Sequence, residues 1–275
     1  MPDTDLYSYE VTRDNQDQIV TLHIQNGIAP RPSQHFHDSL EFLYVADGSI
    51  NARLGSEQTV VPAGNLLAVS SFLPHDFPRE YAELWQLIVP RSLISNLDQL
   101  MENKTFARRV LPDPDGQLLA YMKLIYEINT RGGIFAVIDE TAAHAAAVSA
   151  AGNLVRLIIR ISGLREEGGS SLPVMQAIRH ISLHFREPIR VGELSRRLYC
   201  NRSRLSSLFH ATFGMTMNEY VNSLRAAEVR RLLSENPKMI LTEAAALSGF
   251  GSLRSLHRAY KQTYGHPPAG DVRME

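Results

Sequence analysis

Four side chains in the first third of the sequence have the types and spacing of a metal-ligand set: His35, His37, Glu41 and, further along, His75. Alternation along a strand turns residues 35, 37 and 41 to one face, where two imidazoles and a carboxylate can close on one divalent ion. With the third histidine the set offers three nitrogens and one oxygen, a donor mix that suits Zn, Fe, Mn or Ni. The same groups can instead be the polar contacts of a small-molecule pocket with apolar walls from Phe42, Tyr44, Trp85 and Leu87. In that reading His37, Glu41, His75 and Trp85 hold an effector. Trp85, the sole tryptophan, either stacks on a sugar or an aromatic ring or is plain core.

The elements that must position these residues read as strands. From about residue 6 to 90, "TLHIQ", "LEFLYVADGSINARL", "QTVV" and "LWQLIVP" are β-branched or aromatic runs, punctuated by Asp47-Gly48, Gly55 and Pro62-Ala63-Gly64. Short strands at this spacing favour a sandwich or barrel. Two helices are expected next, over about Asp115–Asn129 and Ile138–Ile161, separated by Arg131-Gly132-Gly133. "SGLREEGGSSLP" (Ser162–Pro173) has the composition of a linker, and everything after it shows the three-to-four apolar spacing of helices. The fold class is α+β, with four segments: a barrel over 1–110, a two-helix dimerisation segment over 111–162, a linker over 163–173 and an all-α domain over 174–275.

Composition narrows the class. The chain has 275 residues, 44% hydrophobic and 21% charged, which is too long for one ordinary core and typical of a soluble globular protein. The N-terminal segment lacks the pattern of a secretory signal, and the greasiest run, "TAAHAAAVSAAGNLVRLIIRI", carries His144, Asn153, Arg156 and Arg160, which suits a packed helix better than a membrane span. One cysteine, Cys200, excludes an intramolecular disulfide and fits a reducing cytoplasm. The net charge of −1 conceals an asymmetry: from Leu172 onward there are 15 Lys/Arg against 8 Asp/Glu, and in the rest 13 against 21. A basic C-terminal third on an acidic body suggests that one end meets a polyanion.

That basic third repeats itself with an offset of 51. Tyr199, Asn201, Leu205, Phe209, Phe213 and Gly214 align with Phe250, Ser252, Leu256, Tyr260, Tyr264 and Gly265. Each copy reads as a short helix, a tight turn, an N-cap (Asn201 or Ser252) and a second helix ending at glycine, which is a helix-turn-helix. The polar face of the first recognition helix carries Arg202, Ser203, Ser206, Ser207 and His210. That of the second carries Leu253, Arg254, His257, Arg258 and Lys261. Such side chains reach base edges and phosphates in a major groove. The intervening helix, residues 217 to 235, is roughly 28 Å long at 1.5 Å per residue and can hold two recognition helices about 34 Å apart, one turn of B-DNA.

The stretch "AALSGFGSLRSLHRAYKQTYGHPP", Ala245 to Pro268, with the unit before it, resembles the DNA-binding domain of the AraC/XylS family of bacterial transcription regulators over about Pro173–Arg273. The one departure is Ser195, where the family usually has alanine. The resemblance implies base-facing and backbone-facing roles for Arg202, Ser203, Ser206 and Ser207, and likewise for Arg254, His257 and Arg258, with Leu253 available for a thymine methyl. Arg225, Arg230 and Arg231 are either phosphate contacts or a solvated face. In the N-terminal part, His35-x-His37-x3-Glu41-x6-Gly48 resembles the first motif of the cupin barrels. Gly64 and His75 fit the second, but Ser70, Phe72 and Arg79 replace its usual proline, glycine and asparagine.

The resulting expectation is a cytoplasmic, homodimeric regulator that is not an enzyme, with a cupin-like domain for a small-molecule effector, carbohydrate being the first guess, and a double helix-turn-helix domain for promoter DNA. Recruitment of RNA polymerase follows from the resemblance. No cofactor is required, and the four barrel residues are the candidate ligands for a divalent metal. The alternative is a metal-dependent cupin enzyme, a dioxygenase or isomerase, fused to a DNA-binding module.

Overall fold

The computed structural model describes residues 8–9, 18–27, 35–77, 82–167 and 172–268, so Arg79 and residues 168–171 of the expected linker lie outside the described residues. The chain divides into two compact units, Gln16–Glu167 and Gly168–Glu275, the latter grouped with Met1–Asn15.

A two-residue strand, β1 (Ser8–Tyr9), comes first, followed by β2 (Val20–Gly27), β3 (His35–Phe36), β4 (Leu40–Leu54), β5 (Glu57–Pro62), β6 (Asn65–Val69), β7 (His75–Asp76) and β8 (Ala82–Val89). "LEFLYVADGSINARL" is the unbroken 15-residue β4, and the sheet is organised around it. Its first half pairs antiparallel with β8 and β6, and its second half with β5 and β7. The register shifts between Val45 and Asp47, and Gly48 takes φ 79°. A bulge followed by a left-handed glycine bends a strand sharply, so one strand contributes to both layers.

Alternation then separates two cores. Leu43 and Val45 of β4, Leu67 and Val69 of β6 and Leu84 of β8 join Ile50, Ala52, Leu54 and Val61 inside the folded sheet. Phe42 and Tyr44, Leu66 and Ala68, and Trp85 and Leu87 face the other way. They are covered by α2 (Gln117–Thr130) and α3 (Glu140–Ser162), the two expected helices, which bury Leu118, Met122 and Ile125 and Ala147, Ala151, Leu154 and Ile158 against them. The helix α3 is long and apolar enough to cross a membrane by length and composition; here its small-residue stripe is core. Between β8 and α2 in the sequence come α1 (Leu97–Leu100), β9 (Lys104–Phe106) and β10 (Val110–Pro112), the last paired antiparallel with β6.

Part of the expected linker is a strand. Leu164–Glu166 is a strand, β11, paired antiparallel with β9, with Leu164 opposite Phe106 and Glu166 opposite Lys104. Three polar-flanked residues give no period of their own, and only the distant partner makes them a strand.

Among the described residues from Leu172 onward the elements are helices: α4 (Leu172–His184), α5 (Val191–Arg197), α6 (Arg202–Phe213), α7 (Met217–Glu235), α8 (Leu241–Leu247) and α9 (Leu253–Tyr264). Thr216 and Glu219 form a capping box at the start of α7, each satisfying a backbone N–H that the helix end leaves open.

Candidate functional site

Glu41 is the hub of the barrel centre. It lies on the inner face of β4, 0% exposed, with His35, His37 and His75 at 3%, 1% and 1%. Its Oε2 stands 3.0 Å from Nε2 of both His37 and His75, and Gln86 Nε2 donates to its Oε1. The four candidate donor atoms of His35, His37, Glu41 and His75 lie within 4.8 Å of one another. Gln86 escaped notice in the sequence, although it shares the inner face with Leu84, two residues before it.

The turn that delivers His75 puts a residue other than glycine in the left-handed region. Phe72, where a cupin-like motif carries glycine, adopts φ 59°, and its backbone N–H donates to the His37 carbonyl at 2.8 Å. The buried Phe72 ring offsets a conformation that disfavours side chains.

The second nitrogen of each ring fixes the chemistry. His37 Nδ1 donates to the Ser39 carbonyl at 3.1 Å and His75 Nδ1 to the Leu73 carbonyl at 2.7 Å. Carbonyl oxygens only accept, so both Nδ1 atoms carry hydrogen, and in a neutral ring Nε2 is then a bare lone pair. Two such lone pairs aimed at one carboxylate oxygen require positive charge between them, either a second proton on the rings or a metal ion. Anchoring Nδ1 on carbonyls and presenting Nε2 is also how metal-bound histidines are held, so the residues fit a divalent ion. Burial works to raise the Glu41 carboxyl, but the hydrogen bonds and charges of His37 and His75 outweigh it and hold the group well below the usual carboxylate range.

Trp85 does not belong to this centre. It lies on the opposite face of the sheet, its ring stacked on His23 at 3.7 Å, edge-on to Tyr126 and beneath the Lys123 ammonium. Phe42, Tyr44 and Leu87 share that face. The expected pocket with His37, Glu41, His75 and Trp85 on one wall is therefore not formed: the polar residues face in and the aromatic ones face the helices. The strictly alternating sheet geometry forbids both sets on one side.

The C-terminal unit leaves its assigned residues exposed. Arg202, Ser203, Ser206 and Ser207 are exposed on α6, as are Leu253, Arg254, His257 and Arg258 on α9. Leu205, Phe209 and Phe213 lock α6 from behind, and Leu256, Ala259 and Tyr260 lock α9. The side chain of Asn201 caps α6 by accepting from the N–H groups of Ser203 and Arg204, and Ser252 caps α9 through Ser255. Arg204, which the sequence reading left unassigned, is also exposed on α6.

The repeat needs one correction. The offset of 51 holds from the N-caps onward, but the preceding turns differ by a residue. Tyr199 N–H donates to Arg196 O as Gly249 does to Ala246 O, and Cys200 to Ser195 O as Phe250 does to Ala245 O. Gly249, not Phe250, is the counterpart of Tyr199, and aligning the two aromatic residues hid a one-residue insertion at Gly251.

Two of the helix-α7 arginines are structural ties. Arg225 donates to the carbonyls of Phe185 and Glu187, and Arg231 to Glu228 and Glu235. Glu228, 5% exposed, also accepts two bonds from Arg186, at 2.8 and 3.1 Å. Burial would raise its carboxyl, but the hydrogen bonds from Arg231 and Arg186 hold it below the usual range. A carboxyl depressed by folding contributes stability above its unfolded pKa and loses it as pH falls through the folded value. Glu228→Gln is thus expected to lower the denaturation midpoint of the chain at neutral pH. The gap to wild type should close as the pH drops below about 4, the ordinary carboxylate range; a gap independent of pH would show that charge is not what the pair supplies.

The class of the C-terminal unit follows from this geometry, two capped recognition helices each behind its own turn: residues 194–273 match the family model of a helix-turn-helix domain. Among particular proteins, the chain is 33% identical over 89 residues to the probable transcriptional regulator LumQ of Photobacterium leiognathi, covering 32% of this chain and 36% of that protein. It is 26% identical over 111 residues to the Msm operon regulatory protein of Streptococcus mutans, 40% of this chain and 39% of the relative. The chain thus spans less than two-fifths of the length of these curated relatives. Among solved structures, unsaturated fatty acid bound ToxT from Vibrio cholerae aligns over 95% of this chain and 97% of its own at 14% identity and a TM-score of 0.48. The DNA-binding domain of AdpA in complex with a target DNA aligns over 36% of this chain and 89% of its own, at 24% identity and a TM-score of 0.33.

Proposed function

We propose that this chain is a sequence-specific DNA-binding transcription regulator of the AraC type, cytoplasmic, acting as a homodimer on promoter DNA and through it on RNA polymerase, under control of a small molecule. The observation that carries the reading is the pair of matched polar helix faces, α6 and α9, each capped and locked from behind with its arginines exposed. Such faces suit successive major grooves.

The barrel centre is proposed as a site for a small cation, a proton or a divalent metal, held by His37, Glu41, His75 and His35, and not for an organic effector or a substrate. Four side chains at 0–3% exposure cannot meet a larger molecule without leaving their places. That burial favours a regulator over the metal-dependent enzyme alternative.

Selection of bound fragments from a DNA library by the full chain, followed by footprinting, tests the reading. Two protected patches about one helical turn apart are expected, and failure to enrich any sequence would defeat it. On the selected site, Arg258→Ala and Arg254→Ala should each weaken binding by about 1–3 kcal/mol, roughly ten- to hundredfold, if they read bases, or flatten the salt dependence by about one unit if they hold phosphate. Wild-type affinity and salt slope in both variants would rule out α9 as a recognition helix.

A further inference from the structure

The barrel centre leaves the proposed effector without a place, and the N-terminal unit has another. A cleft of about 370 Å³ lies between α1 with the turn before it and one side of α3, within the roughly 300–1,000 Å³ typical of small-molecule sites. Leu97 and Leu100 supply apolar lining, Asn96 and Gln99 neutral hydrogen-bonding groups, and among the described side chains the charged groups lining it are Lys104 and Arg156, both cationic.

Both cations are available. Among the described residues Arg156 has no carboxylate partner, and its position depends on an unusual residue. Gly152 is buried one turn earlier in the interior of the 23-residue α3, where glycine weakens a helix. A Cβ at that position would stand 3.1 Å from an Arg156 guanidinium nitrogen, so the absent side chain makes room for the guanidinium to lie back along α3. Lys104 meets Glu166 at 3.9 Å, beyond hydrogen-bond distance and with Glu166 largely exposed.

We propose that this cleft binds a small amphipathic organic anion, a carboxylate on a hydrocarbon or aromatic body of about six to ten carbons, with the carboxylate between Arg156 and Lys104. An arginine and a lysine converging on an apolar cleft match that chemistry, since the guanidinium takes a carboxylate bidentately and the ammonium adds a point charge. The incoming carboxylate displaces Glu166 from Lys104. Those two residues are register partners at the end of the β9–β11 ladder, and the N-terminal unit ends one residue later, at Glu167. Occupancy therefore alters the tie on the strand through which the chain leaves the unit. A role as the effector site rests on the regulator reading above; the binding site itself does not.

Thermal denaturation and calorimetry of the full chain with hexanoate and benzoate, against hexanamide and hexylamine, test the site. The two anions are expected to raise the midpoint saturably, as ligands of the folded state do, while the neutral and cationic analogues leave it unchanged. Arg156→Gln and Lys104→Gln should each weaken anion binding about tenfold or more, and Arg156→Lys should restore part of it. Gly152→Ala, which favours the helix, should nevertheless weaken binding by crowding the guanidinium. Glu166→Gln, lacking the competing carboxylate, should tighten it. No saturable shift with either anion, equal shifts from hexanamide, or wild-type binding in both cation variants would overturn the site. Unchanged affinity in Glu166→Gln would overturn the displacement. Arg156-dependent anion binding by a chain that selects no DNA would support the site and remove the regulator reading alone.

Discussion

Glu41→Ala is expected to destabilise the N-terminal unit by about 3–5 kcal/mol, the range for removing one partner of a buried charged network. The carboxylate satisfies three groups at once, His37 Nε2, His75 Nε2 and Gln86 Nε2, and the centre is 0–3% exposed, so no solvent takes its place. Alanine also leaves a cavity whose walls are rings pinned by their Nδ1 hydrogen bonds to backbone carbonyls, which limits collapse. Glu41→Gln keeps the volume and one accepting oxygen while losing the charge, and should fall between wild type and Glu41→Ala. Urea denaturation read by tryptophan fluorescence isolates the effect, because Trp85 is the only tryptophan and packs within the same unit. Zinc or manganese added to metal-free wild-type protein should raise this midpoint if the centre takes a divalent ion, and should leave Glu41→Ala unmoved. A loss under about 1 kcal/mol in Glu41→Ala would mean that the imidazoles find other partners and that Glu41 is not the hub.

The same centre shows what the sequence could and could not disclose. The residue types of His35, His37 and Glu41 marked them as one set, but the three do not share a strand as their spacing suggests: β3 ends at Phe36 and β4 begins at Leu40, so the bend between the two strands, with His37 in it, brings them together. Within β4, the period of two sets Phe42 and Tyr44 on the face opposite Glu41, so their assignment to the pocket wall conflicted with information already in the sequence. For Trp85 the information was absent: its face depends on the pairing of β8 with β4, Tyr44 opposite Trp85, and on helices that bury one side of the sheet while the folding of the sheet on itself buries the other. With both faces buried, apolar and aromatic residues run almost continuously through β8, and alternation loses its contrast. The helices α2 and α3 were legible from their stripes. The strand β11 was not, since Leu164–Glu166 becomes a strand only beside Lys104–Phe106. In the C-terminal unit the caps and apolar faces of α6 and α9 were readable at once, because helical signals are local. The one-residue difference between the two turns was not, because aromatic residues of different roles stood at matching offsets.

That difference leads to the second large effect. Gly249→Ala is expected to destabilise the C-terminal unit by about 3 kcal/mol or more, from left-handed strain of roughly 1–2 kcal/mol and a backbone collision of the kind that gives exceptional losses. Gly249 holds φ +85°, and an added Cβ would collide with the Arg186 carbonyl, 2.8 Å from its carbon and 2.9 Å from the Arg186 Cα. Neither atom can swing aside as a side chain would. Arg186 is fixed in turn by its paired hydrogen bonds to the buried Glu228, so relieving the clash strains the ion pair that ties α7 to the turn after α4. Tyr199 provides the internal control. It occupies the equivalent place in the first unit at φ 50° with its side chain 99% exposed, so the same backbone conformation exists there without the close approach. Tyr199→Gly should therefore be neutral or slightly stabilising, relief of the left-handed strain being partly offset by the roughly 0.5–1 kcal/mol that glycine's added freedom in the unfolded chain costs. Opposite signs for the two variants in chemical denaturation would separate backbone conformation from steric contact. A mild loss in Gly249→Ala, no larger than left-handed strain alone, would show that the Arg186 turn can move, and the coupling between the second helix-turn-helix and α4 would then be looser than its hydrogen bonds imply.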